Sequence, residues 1–393
     1  QLDFTVPGGT VLLAGRSAIF VHEDAARLAG VYPGHLLAGV FEEDVAELLD
    51  GFELRNRAGT VVASHTLVAP RRFTELSGRP DSSGLLSLVA TQSGGAGWLQ
   101  ALECGAEPGA TSNLNVDAYG QTRAGLALVR FDAGGQACLY NSQATHMVVD
   151  LQGYVGDEVI DDIADVRLVD TRGGRKPREG SVVRISGRPN ATGIVNLVAT
   201  DTDGAGFLAI VPCEAPVPTT SNLNFDRPGA IVASLAFVRF DGSGNACVYV
   251  RAGAHVVADL QAYVNDAGFE DLPDTRLIDT RGGGRPSDRS MTVLTGRPDS
   301  TAVVSLVATE SAGPGHLQVL PCAARPGATS NLNYDRAGFV IVNGLTTVRF
   351  GADGRACVFA HTAVHIVADL QGYFTPDAFD DVADVRLLDT RLR

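Results

Sequence analysis

Short apolar segments separated by turn residues run through most of this chain. Residues 193–200 (GIVNLVAT), 206–213 (GFLAIVPC) and 230–240 are rich in Val, Ile, Leu and Phe, and Gly, Pro, Asn and Asp lie between them. Apolar segments of this length, bounded by turn residues, are typical of β-strands. The stretch that surrounds these segments, residues 181–281, is predicted to contain about eight short strands.

Residues 146–154 (HMVVDLQGY) show the alternation most clearly. Met147, Val149 and Leu151 point to one face of an extended segment, and Val148 points to the other. Because both faces carry some apolar side chains, we predict a central strand.

Helical patterns are scarce and lie near the N-terminus. Residues 42–49 (EEDVAELL) place acidic side chains in the first turn of a predicted helix. Residues 4–21 alternate and predict a β-hairpin. We therefore predict a small header, residues 1–55, made of a β-hairpin and a short helix.

The same motifs recur three times along the chain. Ser-Asn-Leu-Asn begins at Ser112, Ser221 and Ser330, and a one-residue insertion after Asn333 is the only length change across the repeated markers. Repeats of roughly 20–50 residues build solenoids, whereas a longer repeat is a whole domain. The predicted domains are residues 56–160, 161–269 and 270–376, followed by a C-terminal orphan strand, residues 377–393.

Each repeat carries one pair of cysteines, and no Cys-x-x-Cys motif occurs. An even count of one pair per domain is typical of disulfides in secreted proteins, although reduced structural cysteines are the alternative. The predicted disulfides are Cys104–Cys138, Cys213–Cys247 and Cys322–Cys357. The predicted fold class is therefore all-β: three tandem antiparallel β-sandwich (jelly-roll-like) domains, each with one disulfide, behind the small header.

Charge and hydropathy limit the partners and the location. The formal net charge of −14 argues against nucleic acid as a partner, because an acidic surface repels phosphate backbones. No apolar run is long enough for a transmembrane helix. The chain begins at Gln1, which we interpret as a processed, secreted product, although an incomplete sequence would begin in the same way. We expect an extracellular or cell-surface location.

Four motifs are specific in combination: Arg-Leu-x-Asp-Thr-Arg, Pro-Cys or its near equivalent, Ser-Asn-Leu-Asn, and Asp-Leu-Gln-Gly-Tyr-Phe, which is most complete at residues 369–374. Together they resemble a tandem β-domain of secreted and cell-surface proteins of actinobacteria and related high-G+C bacteria. The resemblance covers about residues 60–393. It implies extracellular placement and a modular, non-catalytic role, and it supplies no ligand or active-site residues.

Repeat 1 lacks the opening motif, and the C-terminus carries an additional copy. Residues 52–57 (FELRNR) sit too far upstream, whereas residues 384–393 (DVRLLDTRLR) follow the last complete repeat. We hypothesise head-to-tail assembly, in which this last strand adds to an open sheet edge of the next molecule. Arg386, Arg391 and Arg393 are then expected to pair with acidic residues 42–44. The alternative is docking of the strand on the third domain of its own chain.

Asp and Arg two positions apart recur in the Asp-Thr-Arg motifs. They share a face of an extended segment, and the guanidinium fork suits a carboxylate or backbone carbonyls. We interpret these residues as interdomain or assembly contacts, with ligand binding as the alternative. The pairs are Asp170/Arg172, Asp279/Arg281 and Asp389/Arg391.

Three further candidates for chemistry have a structural interpretation. His146 and Asp150 recur in every repeat, but residues four apart on a strand are separated by about 13 Å, too far to bind one metal ion. The amides of Asn113 and Asn115 suit loop contacts, with glycan binding as the alternative. Residues 201–204 (DTDG) hint at calcium, yet they do not recur and lack the later carboxylates of an EF-hand.

No catalytic residue, cofactor or metal site is predicted, because no serine-hydrolase, zinc-protease, P-loop or dinucleotide-binding motif occurs. The predicted function is a secreted, non-enzymatic structural protein, a homo-oligomer that assembles head to tail into an extracellular fibre or surface layer. The alternative is an adhesin that binds carbohydrate or cell wall. That alternative predicts an exposed aromatic or amide cluster at the same place in every repeat. The aromatic candidate, equally suited to packing, is Trp98, with Phe207 and His316 as its equivalents.

Overall fold

The computed structural model describes residues 18–22, 36–41, 52–55, 61–65, 70–109 and 111–392. The chain divides into two compact units, Gln1–Leu67 and Val68–Arg393. Within the predicted header, the helix at residues 42–49 and most of the hairpin at residues 4–21 lie outside the described residues.

The N-terminal unit contains two small two-stranded sheets. In the first, β1 (Ala18–His22) pairs with β2 (Leu36–Phe41) in parallel. In the second, β3 (Phe52–Arg55) pairs with β4 (Val61–His65) in the antiparallel direction. The FELRNR segment therefore begins as a strand of the N-terminal unit and does not open repeat 1.

In the second unit repeats 2 and 3 each form a succession of eight strands, and repeat 1 forms the last seven of that succession. Repeat 1 forms β5 (Arg72–Ser77), β6 (Ser82–Thr91), β7 (Gly97–Leu102), β8 (Leu114–Val116), β9 (Arg123–Phe131), β10 (Gln136–Asn141) and β11 (His146–Val155). Repeat 2 forms β12 (Ile160–Asp170), β13 (Val182–Ser186), β14 (Thr192–Thr200), β15 (Gly206–Val211), β16 (Leu223–Phe225), β17 (Val232–Arg239), β18 (Asn245–Val250) and β19 (His255–Val264). Repeat 3 forms β20 (Phe269–Asp279), β21 (Ser290–Thr295), β22 (Thr301–Ser311), β23 (Gly315–Leu320), β24 (Leu332–Tyr334), β25 (Gly338–Arg349), β26 (Arg355–Ala360) and β27 (His365–Phe374). The chain continues into β28 (Phe379–Asp389), and two 3₁₀ turns, Thr280–Gly282 and Thr390–Leu392, follow β20 and β28.

These strands form six four-stranded antiparallel sheets. Three outer sheets have the orders β5-β10-β7-β8, β13-β18-β15-β16 and β21-β26-β23-β24. Three inner sheets have the orders β28-β11-β6-β9, β12-β19-β14-β17 and β20-β27-β22-β25. The central position predicted for the strand at residues 146–154 is confirmed, because β11 lies between two neighbours and is buried along its whole length.

The inner sheets are buried on both faces. One face packs against the outer sheet of the same repeat, as where Leu294 of β21 and Val304 of β22 share a core cluster. On the other face the inner sheets of all three repeats meet in one shared cluster, which includes Leu85, Ile194 and Val303. Because every repeat contributes to the shared cluster, the core of each repeat is completed by the other two.

The predicted fold class, three tandem antiparallel β-sandwich (jelly-roll-like) domains, is therefore wrong. The second unit is one compact body of six small four-stranded sheets, which is the make-up of a six-bladed β-propeller, and not a row of three sandwiches. The physical reason is the second apolar face of the inner strands. The repeat reveals how many copies of the motif exist, but it does not reveal which sheet faces the copies share.

The C-terminal strand β28 completes the inner sheet of repeat 1. It pairs antiparallel with β11, and Phe379 lies opposite Val155. In repeats 2 and 3 the same place is taken by β12 and β20. The strand that repeat 1 lacks is thus supplied by the end of the same chain. The alternative expected from the sequence, docking on the third repeat, is therefore wrong in its strand pairing, because β28 pairs with a strand of repeat 1.

The three predicted disulfides are present. Their Cα–Cα distances are 4.9 Å, 5.0 Å and 4.9 Å, and the bonds are Cys104–Cys138, Cys213–Cys247 and Cys322–Cys357. Within the described ranges, the structure contains no helix of the length and apolarity that a membrane span requires.

Candidate functional site: the strand junctions between repeats

The Asp-Thr-Arg motifs lie where β12, β20 and β28 end. In repeat 2 the backbone N–H of Arg172 donates to Asp170 Oδ1 at 3.0 Å, and Arg172 Nε donates to the same oxygen at 2.9 Å. The same contacts recur at Asp279/Arg281 and Asp389/Arg391. The arginine side-chain hydrogen bonds lower the pKa of Asp279 and of Asp389 to about 2. Each predicted pair is therefore a local ion pair within one segment.

A second arginine of each opening motif makes the contact between strands. Arg167 of β12 binds Asp259 of β19 with two hydrogen bonds, Nε to Oδ1 at 2.6 Å and Nη2 to Oδ2 at 3.0 Å. The Asp259 side chain is 1% exposed, and Arg167 is the cation that contacts it. The equivalent pairs are Arg276–Asp369 and Arg386–Asp150.

The sequence-based prediction missed the first two of these arginines. A nearly constant spacing between arginine and aspartate could have indicated these pairs. Arg167 and Asp259 lie 92 residues apart, and Arg276 and Asp369 lie 93 residues apart. Arg386, which was predicted as an assembly residue, binds Asp150 of repeat 1, 236 residues earlier in the chain.

The threonine of each opening motif contacts the histidine of the facing strand. Thr171 Oγ1 lies 3.1 Å from His255 Nδ1 and accepts the backbone N–H of Val256 at 2.8 Å. The equivalent pairs are Thr280/His365 and Thr390/His146. The recurring His146 and Asp150 of β11 are therefore bound by different residues of the last segment of the chain.

Two of the arginines that bind a buried aspartate also donate a hydrogen bond to another repeat. Arg276 Nη2 donates to the carbonyl of Thr219 in repeat 2 at 3.1 Å, and Arg386 Nη2 donates to the carbonyl of Ala328 in repeat 3 at 2.6 Å. Arg386 thus contacts repeats 1 and 3 of its own chain. Arg393 and the acidic residues 42–44 lie outside the described residues.

Asp and Arg side chains from all three repeats form a closed cycle. Its three ion pairs are Arg227–Asp117, Arg336–Asp226 and Arg123–Asp335. Each pair joins two repeats: an arginine of repeat 2 binds an aspartate of repeat 1, one of repeat 3 binds repeat 2, and one of repeat 1 binds repeat 3. Repeat 1 has Ala118 at the position equivalent to Arg227 and Arg336, so Arg123 supplies the arginine of repeat 1 in this cycle.

Asp271 and Asp274 are half-buried carboxylates in the irregular part of β20. Burial raises the pKa of Asp271 to about 6 and that of Asp274 to about 7. Asp274 accepts a hydrogen bond from Asn222 Nδ2 at 3.3 Å, and Asp165 of repeat 2 accepts one from Thr111 Oγ1 at 2.6 Å. These contacts hold β20 and β12 against the loop of the preceding repeat.

The remaining predicted candidates also have protein partners. Asn113 Oδ1 accepts the backbone N–H of Ala101 at 2.7 Å, which ties down the loop before β8. Asp203 of the DTDG segment binds Lys176 Nζ at 2.7 Å. In the part of the chain that the structure describes, no group of His, Cys, Asp and Glu is arranged to hold a metal ion.

No family model and no curated protein matches this chain. Among solved structures, a chain from "The Triple Jelly Roll Fold and Turret Assembly in an Archaeal Virus" matches at 8% identity and a TM-score of 0.22, over 82% of this chain and 89% of that chain. The STIV MCP matches at 9% identity and a TM-score of 0.25, over 55% of this chain and 97% of the other. A chain of Sulfolobus Turreted Icosahedral Virus matches at 9% identity and a TM-score of 0.23, over 55% of this chain and 90% of the other. At these TM-scores the likeness assigns neither a fold nor a function to this chain.

Proposed function

We propose that this chain is a secreted, non-enzymatic structural protein. The observation that carries the proposal is the recurrence of one junction in all three repeats, in which an arginine binds a buried aspartate and a threonine binds a histidine. A catalytic group must be able to reach a substrate, whereas these side chains are bound by partners inside the protein. The three disulfides support an oxidising, extracellular location.

Its self-assembly is proposed to proceed by exchange of β28 between copies. The same ladder and the same Arg386–Asp150 pair form whether β28 pairs with β11 of its own chain or with β11 of another. Within one chain the strand benefits from a high effective concentration, so exchange requires a high local concentration of protein. A crowded cell surface provides that condition and yields a head-to-tail chain.

Light scattering over a concentration series tests the assembly. We expect the particle mass of the full chain to rise with concentration, and a chain that ends at Pro376 to lose this rise. The control is Arg172→Ala, which removes a local ion pair outside the exchanged ladder. A full chain that stays monomeric at every concentration contradicts assembly. Free thiols in protein recovered from the producing cells contradict the extracellular role independently.

A second candidate function, carbohydrate binding, is favoured by a recurring aromatic pair on the outer sheets. The ring centroids lie 6.4 Å apart for Trp98–Tyr140, 6.1 Å for Phe207–Tyr249 and 6.2 Å for His316–Phe359. Trp98 is 37% exposed, so its fluorescence reports on ligands at this surface. A shift of the emission spectrum with soluble polysaccharide supports this candidate, and an unchanged spectrum across neutral and acidic polysaccharides counts against it.

A further inference from the structure

We infer that a cleft between repeats 2 and 3 binds a short segment of a neutral carbohydrate chain. The inference rests on the second candidate function and is independent of the structural role. The cleft has a volume of about 310 Å³ and lies between the start of β15 and the start of β25. That volume lies at the lower end of the range of small-ligand sites, which combine aromatic walls with a few polar groups.

Two aromatic side chains from different repeats line the cleft. Phe207 is the second residue of β15, and its ring packs 6.1 Å from that of Tyr249. Phe339 is the second residue of β25 and is 61% exposed, which is unusual for such a large apolar side chain. Aromatic rings provide the apolar surface on which the C–H faces of a sugar ring pack.

The inserted residue of repeat 3 falls in the same stretch as Phe339. Between Ser-Asn-Leu-Asn and the following Arg-Phe, repeat 3 is one residue longer than the other repeats. Phe339 is exposed and lies in the segment that carries the inserted residue. This combination indicates a feature that is particular to this cleft and that the shared fold does not require.

Hydroxyl and amide groups line the floor of the cleft. They belong to Thr219, Thr220, Ser221, Asn224 and Thr309. A hydroxyl both donates and accepts, and an amide has two donors and two acceptor positions, of which Asn224 uses one donor toward Ser221 Oγ at 2.9 Å. Such groups complement the hydroxyls of a sugar, which also donate and accept.

The charges around the cleft balance. Three arginines line it, and each is paired with a carboxylate: Arg251 with Glu179, Arg276 with Asp369 and Asp279, and Arg281 with Asp279. The three arginines are therefore balanced by three carboxylates, and these groups leave no net charge that would attract an acidic ligand. Guanidinium groups have five N–H donors, so they can still donate to sugar oxygens. This combination favours a neutral sugar over a uronic acid or a phosphate.

Titration calorimetry tests the cleft with defined probes. The probes are hexasaccharides of β-1,4-glucan, β-1,4-mannan, β-1,4-xylan and α-1,4-glucan, with hexagalacturonate as the acidic comparison. We expect at least one neutral probe to bind, with little dependence on salt, and Phe339→Ala and Phe207→Ala each to weaken binding about tenfold. The matched control is Tyr119→Ala, which removes an aromatic side chain that is 84% exposed and lies outside the cleft.

The outcomes separate the site from the function. Absence of binding to every neutral probe overturns this inference, and absence of binding to hexagalacturonate as well overturns the second candidate function. Binding that survives Phe339→Ala and Phe207→Ala, in variants with unchanged thermal unfolding, overturns the cleft alone and leaves carbohydrate binding elsewhere on the protein. Tighter binding of hexagalacturonate than of any neutral probe overturns the assignment of a neutral ligand.

Discussion

Arg386 and Asp150 form a two-point ion pair although 236 residues separate them in the chain. Asp150 lies on β11, its side chain is 1% exposed, and Arg386 lies on the last strand. The same guanidinium donates to the carbonyl of Ala328, so it joins the last strand to two repeats at once. This pair is the chemical counterpart of the strand pairing that completes the inner sheet of repeat 1.

Replacing Arg386 by alanine is expected to lower the free energy of unfolding by about 3–5 kcal/mol. The change leaves the Asp150 carboxylate buried without its partner, and that desolvated charge accounts for most of the effect. Urea denaturation followed by circular dichroism measures the loss.

Two further variants decide whether the buried charge is the cause. Arg172→Ala removes an exposed arginine from a local pair and should cost at most about 1 kcal/mol. The double variant Asp150→Leu/Arg386→Leu removes both charges and should recover much of the stability. Equal losses in Arg172→Ala and Arg386→Ala contradict the special role of the Arg386–Asp150 pair.

Local patterns predicted the strands and the disulfides, because the residues that decide them lie within one repeat. The two-sided apolar pattern of residues 146–154 correctly indicated a central strand. The arrangement of the sheets depends on contacts such as Arg386–Asp150 and on the cluster that joins Leu85, Ile194 and Val303. These contacts link distant segments, and a repeat pattern carries no information about which copies touch. The same limit explains why Arg167 and Arg276 were missed, while the Asp-Thr-Arg pairs proved to be local.

The part of the stability that Asp271 and Asp274 contribute is expected to fall as the pH rises from about 4 to about 7, because both carboxyls are half-buried in the folded protein. Burial raises the pKa of Asp271 to about 6 and that of Asp274 to about 7 in the folded protein. A carboxyl whose pKa is higher in the folded state contributes stability that is complete below its unfolded pKa, about 4, and is lost as the pH rises through the folded value. After allowance for partial exposure, we expect a loss of roughly 1–2 kcal/mol per carboxyl in urea titrations.

The variants Asp271→Asn and Asp274→Asn should flatten this pH dependence, because neither amide titrates. Asp299→Asn changes an exposed carboxyl and is the matched control. The lowered pKa values of Asp279 and Asp389, about 2, affect stability only below about pH 4.

Burial lowers the pKa of His316 to about 4 and raises that of Asp381 to about 6, and these two groups change the stability in opposite directions between pH 4 and 7. The test therefore compares each variant with the unaltered protein at the same pH. A stability difference between the unaltered protein and Asp271→Asn or Asp274→Asn that stays constant between pH 4 and 7 contradicts this prediction.

The cycle of ion pairs that joins the three repeats is expected to contribute more than an ordinary surface pair. Asp226 binds both Arg227 and Arg336, and its side chain is 3% exposed. We expect Asp226→Ala to cost about 1–3 kcal/mol, less than a fully buried pair because Arg336 is half-exposed. The control is Asp157→Ala, whose exposed pair with Arg130 at 3.5 Å should contribute about 0–1 kcal/mol. Thermal unfolding measures the stability of both variants. Equal shifts of the unfolding temperature in Asp226→Ala and Asp157→Ala contradict a special contribution of the cycle.

Removal of one disulfide tests whether the repeats unfold together. The bond Cys213–Cys247 closes a loop of 34 residues, and its loss in Cys213→Ala/Cys247→Ala should cost about 3–4 kcal/mol. Because the inner sheets of all three repeats share one apolar cluster, destabilising repeat 2 should lower the stability of the whole unit. Calorimetry should therefore show one transition of the second unit moved to lower temperature. A separate early transition of one repeat, with the rest unchanged, is the behaviour of independent tandem domains and contradicts the shared core.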